Sequence, residues 1–200
     1  MADPRENFKE LCGRYGGDVE SEVKGNDTVL TCIKDEEMLF QGLVHRNTLI
    51  INTAPHPINF IDGTTLKGST TLAGELKARA ETKKLFERNG ISFITTEFKT
   101  DERGRRLVDW ARKAGNVILV SSIISVNAYG YPVVSPVITP ETARLPPPQR
   151  KAYKDRWNTR VSEKELLKLK EVPKLRIPLK KPPELKPVKP KTIIPKLRPK

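Results

Sequence analysis

Residues 101–126, "DERGRRLVDWARKAGNVILVSSIISV", decide the fold class. Leu107, Trp110, Ala111 and Ala114 recur at i, i+3, i+4 and i+7, the spacing of one helical face. The apolar run "VILVSSIISV" that follows reads as a buried strand. Immediately upstream, "TLAGELKARAETKKLFERNG" (71–90) puts Leu72, Leu76, Ala80 and Phe86 on one helical face and ends at Asn89-Gly90, a helix stop signal. "ISFITTEF" (91–98) then reads as a strand. The expected order is helix, strand, helix, strand, as in α/β and α+β folds.

Working outward, "DPRENFKELCGRYGG" (3–17) predicts a short helix with Phe8, Leu11 and Cys12 on its inner face, closed by Gly16-Gly17. "DVESEVKGNDTVLTCIKD" (18–35) alternates about "KGND" and predicts a hairpin, and "MLFQGLVHRNTLIINTA" (38–54) and "PINFID" (57–62) continue the β region. Beyond Val126, "NAYGYPVVSPVITPETARLPPPQ" (127–149) is expected to run extended along the body. "PPPQRKAYKDRWN" (146–158) is expected to open a helix, since proline is tolerated in a first turn. "SEKELLKLKEV" (162–172) has Ser162 and Glu165 at capping-box spacing, and Pro173 ends that second helix. The expected fold is therefore α+β, a mixed α/β single-domain body over 1–131. It is followed by an extended proline-rich linker (132–148), a basic helical segment (149–172) and an extended Lys/Pro-rich arm (173–200).

Charge divides the chain at the same place. Residues 1–150 hold 20 Lys+Arg against 19 Asp+Glu, whereas residues 151–200 hold 17 against 5, so the last quarter carries +12 of the net +13. A basic appendage on a neutral body points to a polyanion, and nucleic acid, DNA or RNA, is the expected partner. The final 28 residues contain 10 Lys+Arg, one acid and 8 prolines, a composition that builds no core. In polyproline II geometry such an arm would reach on the order of 85 Å. Its candidate phosphate-neutralising cations are Lys174, Arg176, Lys180, Lys181, Lys186, Lys189, Lys191, Lys196, Arg198 and Lys200. Eight aliphatics between them, Leu175 and Ile177 among others, suggest that the arm also lies in apolar grooves of neighbouring protein subunits.

In the segment before the arm, helical spacing would bring Tyr153, Trp157 and Arg160 to one side, with Arg150, Lys151, Lys154 and Arg156 close by. Cations interleaved with aromatics suit backbone neutralisation and base stacking. The competing reading is that Tyr153 and Trp157 dock the segment on the body while the charges face water.

Catalytic signals are thin. "GTTLKGSTT" (63–71) sits where a phosphate loop would, but Lys67 precedes Gly68 instead of following it, and helix capping by Ser69, Thr70 or Thr71 accounts for the composition. "TEFK" offers Glu97 and Lys99 at the spacing of metal-dependent nucleases, with Asp62 as the available partner carboxylate, and the basic arm would then tether substrate. Alternating polar positions on a half-exposed strand explain the same residues. His45 and His56 with Cys12 and Cys32 lack the close ligand pairs of zinc sites, and no dinucleotide loop is present, so no metal and no cofactor are expected. The two cysteines read as partly buried free thiols, with one helix-to-strand disulfide, less surprising in a thermophile, as the alternative. The opening "MADPRENFKE" does not read as a signal peptide, and serines, Asn127, Gly130 and prolines interrupt the longest apolar region, so no membrane span is expected. The expected location is intracellular (cytoplasmic) or virion-internal.

"TAPHPINFIDG" (53–63) resembles the N-L-T-P-H-P opening of a loose family of small phage and archaeal-virus proteins, and "VILVSSIISVNAYG" (117–130) resembles the I-V-S strand that follows it there. The resemblance covers roughly residues 48–140 and departs at Ala54, where the family has Thr. It implies a mobile-element or viral origin and no activity. The expected function is a non-enzymatic structural or nucleic-acid-associated protein of a virion or nucleoprotein assembly. A nuclease-like enzyme and a proline-rich interaction module are the alternatives.

Overall fold

Leu49, Ile50 and Ile51 are all buried, as are Val117 to Val120, because both faces of their sheet are covered. The computed structural model describes residues 2–171. Helix α1 (Pro4–Arg14), capped by the Asp3 side chain, leads into an antiparallel meander of β1 (Asp18–Lys24), β2 (Asp27–Lys34), β3 (Glu37–His45) and β4 (Thr48–Asn52). Asp35-Glu36 and Arg46-Asn47 all have positive φ, the paired conformation of tight hairpin turns. There follow β5 (Ile58–Asn59), β6 (Thr65–Leu66), α2 (Thr70–Glu75), β7 (Ala78–Arg88), β8 (Ile91–Thr100) and α3 (Glu102–Ala114). The described chain is completed by β9 (Val117–Val120), α4 (Ile123–Tyr129), β10 (Val133–Ile138), β11 (Ala152–Thr159) and α5 (Glu163–Lys170).

The main sheet has the order β1-β2-β3-β4-β9-β10-β11. Strands β4, β9 and β10 run parallel at its middle, and the flanking pairs are antiparallel. Alternation assigns each residue a face. Leu49, Ile51, Val117, Leu119 and Val133 join Phe8, Leu11, Leu107, Val108, Trp110 and Val126 in a core under α1, α3 and α4. Ile50, Ile118, Val120 and Val134 meet Phe60, Leu66 and Ala152 on the opposite face. The mixed α+β class, the first helix, the N-terminal hairpins and α3 are as expected. Among the described residues, no helix is long and apolar enough to cross a membrane.

Several expectations are corrected. The helix expected over 71–90 is real only for its first turn and a half. After Glu75 the chain forms β7, and Asn89-Gly90, both at positive φ, makes the hairpin turn to β8 instead of a helix stop. The strand expected across "VILVSSIISV" stops at Val120, because the Ser122 hydroxyl accepts from the Ser125 amide and caps α4. The segment 132–148 is extended only in its first half, and that half is β10, which adds Val133 and Val134 to the two cores; the second half folds into turns, with a 3-10 turn at Pro147–Gln149. Residues 152–159 form a strand instead of a helix, since pairing with β10 and burial of Ala152 outweigh the helical spacing of Tyr153 and Trp157. The second helix of that segment forms as α5, with Ser162 as its cap. Finally, Cys12 and Cys32 are not free thiols. Helix α1 lies over β2 with their Cα atoms 5.5 Å apart, and they form a disulfide.

Candidate functional site

Strand β11 closes one edge of the sheet and carries the residues read as a cationic, aromatic surface. The structure divides them. Lys154, expected to meet phosphates, is turned inward with only 10% of its side chain exposed. Its Nζ donates to Asp27 Oδ2 at 2.6 Å, to Asp62 and to Thr64 Oγ1 at 3.0 Å, and it lies 5.5 Å from the Phe60 ring centroid. Asp27 Oδ1 in turn accepts from His45 Nδ1 at 2.7 Å, since a carboxylate only accepts. Among the described residues the other nitrogen of that ring, Nε2, is buried and meets no polar partner. Burial pushes the Asp62 carboxyl up, but hydrogen bonds from Lys154 and Thr64 outweigh it and hold it at about 2. Burial opposes the shift at Asp27 too, and the bonds from Lys154 and His45 prevail to lower its pKa. Lys154 is raised, its two carboxylates outweighing its own desolvation. The network therefore pins β11 to the loop after β5 and to the start of β2. No local sequence pattern signals it, because 127 and 92 residues separate Lys154 from Asp27 and Asp62.

Trp157 follows the docking reading. It packs edge-on against Phe60 at 6.2 Å, and its Nε1 donates to the Lys154 carbonyl at 2.9 Å. Arg160 donates to the Asn127 carbonyl in α4 and Arg150 to that of Leu145, so one braces a helix and the other a loop. Arg156 is exposed and stacks over Tyr153 at 4.3 Å, and Lys151 is half-buried at the start of the strand. Lys164, Lys168 and Lys170 on α5 are exposed. Lys174, Arg176, Lys180, Lys181, Lys186, Lys189, Lys191, Lys196, Arg198 and Lys200 lie outside the described residues, as does Pro173.

The nuclease-type trio is not assembled. Asp62 is engaged by Lys154, whereas Glu97 and Lys99 sit on the β7–β8 hairpin. There Glu81 directly opposes Glu97, a like-charge pairing that Lys83 on Glu97 and Lys99 on Glu81 neutralise. The Lys83 bond holds Glu97 below the usual carboxylate range, and the Glu81 bond raises Lys99. Among the described residues, no group of three His, Cys, Asp or Glu is placed to hold a metal ion.

The hairpin is the feature that sequence reading missed, although its second strand, β8, forms where a strand was expected. Both of its faces are largely solvent-exposed, and its outer half presents Leu85, Phe86, Ile91, Phe93 and Ile94, each at least 44% exposed, with Phe86 and Phe93 stacked at 4.6 Å. One side chain ties the two ends of its root together. The Tyr129 hydroxyl donates to the Lys77 carbonyl at 2.5 Å, just before β7, and accepts from the Asp101 amide at 3.0 Å, just after β8. Gly104 makes room for it, since a Cβ there would lie 2.1 Å from that hydroxyl.

The two motifs behind the viral resemblance meet at the carboxyl ends of β4 and β9, which are adjacent and parallel. Asn52, fully buried, holds Nδ2 against the carbonyls of His56, Leu66 and Lys67, which share its two protons, and accepts from the Ala54 amide, fixing the 53–57 loop. Thr53 ties that loop to β9 through the Val120 carbonyl. Gly68 passes so close that a Cβ would lie 2.2 Å from the Pro55 carbonyl oxygen. The glycine of "GTTLKGSTT" thus serves close packing, and Ser69 caps α2 as expected. Between this loop, Ser121 to Ser125 and the root of the hairpin lies a crevice of about 550 Å³. Comparison with protein-family models, curated proteins and solved structures found no match.

Proposed function

We propose that the protein is a non-enzymatic component of a nucleoprotein assembly, in which its basic C-terminal region lies along nucleic acid while the folded body contacts neighbouring subunits. The observation that carries this reading is the segregation of charge: a body near neutrality and +12 in the last 50 residues. On the hairpin of the body, Lys83, Lys84 and Lys99 are matched by carboxylates, and in the basic last quarter Lys154 is taken up by Asp27 and Asp62. The basic segment is where phosphates would be neutralised, with little sequence selectivity. Arg156, Lys164, Lys168 and Lys170 are exposed at its start and would extend the contact of the arm. A virion is the assembly that the resemblance supports.

The subunit contact is favoured by the hairpin. An arm with five large exposed apolar residues is costly to leave in water, and its alternating charges suit a protein surface better than a phosphate backbone. Fluorescence anisotropy of duplex DNA and structured RNA, titrated with the full chain and with a chain ending at residue 172, tests the nucleic-acid half. Affinity should fall at least about a hundredfold on truncation at low salt. Equal affinity for the two chains would sink the reading.

A further inference from the structure

We infer that the crevice at the carboxyl ends of β4 and β9 binds a phosphate monoester of mononucleotide size, a site that goes beyond the assembly role and does not depend on it. Crevices outside the carboxyl ends of parallel strands are where ligands enter open sheets, because the chain must leave the sheet there and its loops can be shaped freely. A volume of about 550 Å³ is in the range of small-molecule sites.

Its lining is chemically one-sided. Lys77, Arg79 and His56 supply cationic or donor groups and Ser121 a hydroxyl, the hydroxyls of Ser122 and Ser125 being bonded to each other, while no carboxylate lines the space. The lysines farther along the hairpin, Lys83, Lys84 and Lys99, each have a carboxylate partner. Among the described residues Lys77 and Arg79, the two that reach the crevice, have none. The adjoining depression does contain Glu81 and Asp101, but Glu81 is held by Lys99 and Asp101 accepts from the Arg103 amide at the start of α3. An anion is therefore the complement of the free charge.

The rest of the lining is largely apolar: Ala54, Pro55, Ala73, Leu76 and Ala78. Inorganic phosphate alone would leave it unfilled, and a sugar and base attached to the phosphate would cover it. The lining is also built in advance. The Asn52 hydrogen bonds and the close approach of Gly68 hold the His56 loop in place without a ligand, so little ordering cost is left for binding.

Calorimetric titration of the full chain with AMP, adenosine and inorganic phosphate tests the site. AMP should bind, with adenosine and inorganic phosphate each weaker by about tenfold or more. Replacing Lys77→Ala and Arg79→Ala together should weaken AMP by at least about tenfold without lowering the melting temperature. Ala73→Phe, which leaves every charge in place and fills the space, should do the same. No detectable AMP binding at millimolar concentration would overturn the inference. So would AMP binding that survives both variants, since it would then belong to the basic segment, and so would adenosine binding as tightly as AMP.

Discussion

Replacing Lys154 by methionine keeps a long flexible stem and removes the charge that Asp27 and Asp62 share. Asp27 and Lys154 are 9% and 10% exposed, and breaking a buried pair from one side costs about 3–5 kcal/mol because the remaining charge stays desolvated. Two features favour the low end. Asp27 keeps its bond to His45, and Asp62 is 53% exposed, so screening by water limits its share to under about 1 kcal/mol. A loss of about 3 kcal/mol lowers the melting temperature of a chain of this size by about 6–12 °C. The sign with pH follows from the lowered carboxyl values. In the native protein Asp27 and Asp62 contribute stability above their ordinary value of 3.8, and it is lost as pH falls through their folded values, about 2 for Asp62. In Lys154→Met the upward push of burial on Asp27 is opposed by the His45 bond alone, so acid neutralises the unpaired buried carboxylate more readily and the variant recovers. Thermal melts followed by circular dichroism at pH 7 and pH 4 should show the gap between the two proteins narrowing on acidification. A gap under about 2 °C at pH 7, or one equal at both pH values, would refute the network as a clamp on β11.

Other elements give shorter tests. Reducing the Cys12–Cys32 disulfide, which closes a separation of 20 residues, should cost about 3 kcal/mol, seen as a lower denaturation midpoint in dithiothreitol. Tyr129→Phe removes the tie between both ends of the hairpin. Amide exchange should accelerate across 78–100 and the protein should lose about 1–2 kcal/mol, whereas unchanged exchange would mean that packing alone holds the root. Phe86→Ser with Phe93→Ser should alter global stability by less than about 1 kcal/mol, because both rings are exposed, yet it should abolish co-assembly in a particle reconstitution. Gly68→Ala should destabilise by about 1–3 kcal/mol in urea melts, its methyl group having only the Pro55 backbone to displace.

The parts of the fold legible in sequence are those whose signal is local. Alternation and turn residues gave the meander, and the four apolar positions from Leu107 to Ala114 gave α3, three of them buried and Ala114 half-buried. The same logic failed at 71–90 because Leu72, Leu76, Ala80 and Phe86 match a helical face by coincidence: the first two are buried, and the last two are exposed on β7. Asn89-Gly90 supports a helix end and a hairpin turn equally, and only the ten-residue partner β8 decides between them. Strand β11 was hidden for a related reason, since its eight residues satisfy helical spacing and become a strand only because β10 offers an edge. The crevice was not legible in the sequence: its two motifs carried only the viral resemblance, and their adjacency depends on β4 and β9 pairing across more than sixty intervening residues. Lys154 looked like its cationic neighbours because nothing near it in sequence announces Asp27 or Asp62.

The claim at the centre is that the basic C-terminal region neutralises nucleic-acid phosphates. The dependence of duplex-DNA affinity on salt measures this directly, since each phosphate neutralised adds about −0.9 to the slope of log K against log salt. With ten cations in residues 173–200 alone, the full chain should give a slope of roughly −5 or steeper, and the chain ending at residue 172 one much nearer zero. A shallow slope for the full chain, or the same slope for both, would contradict the account.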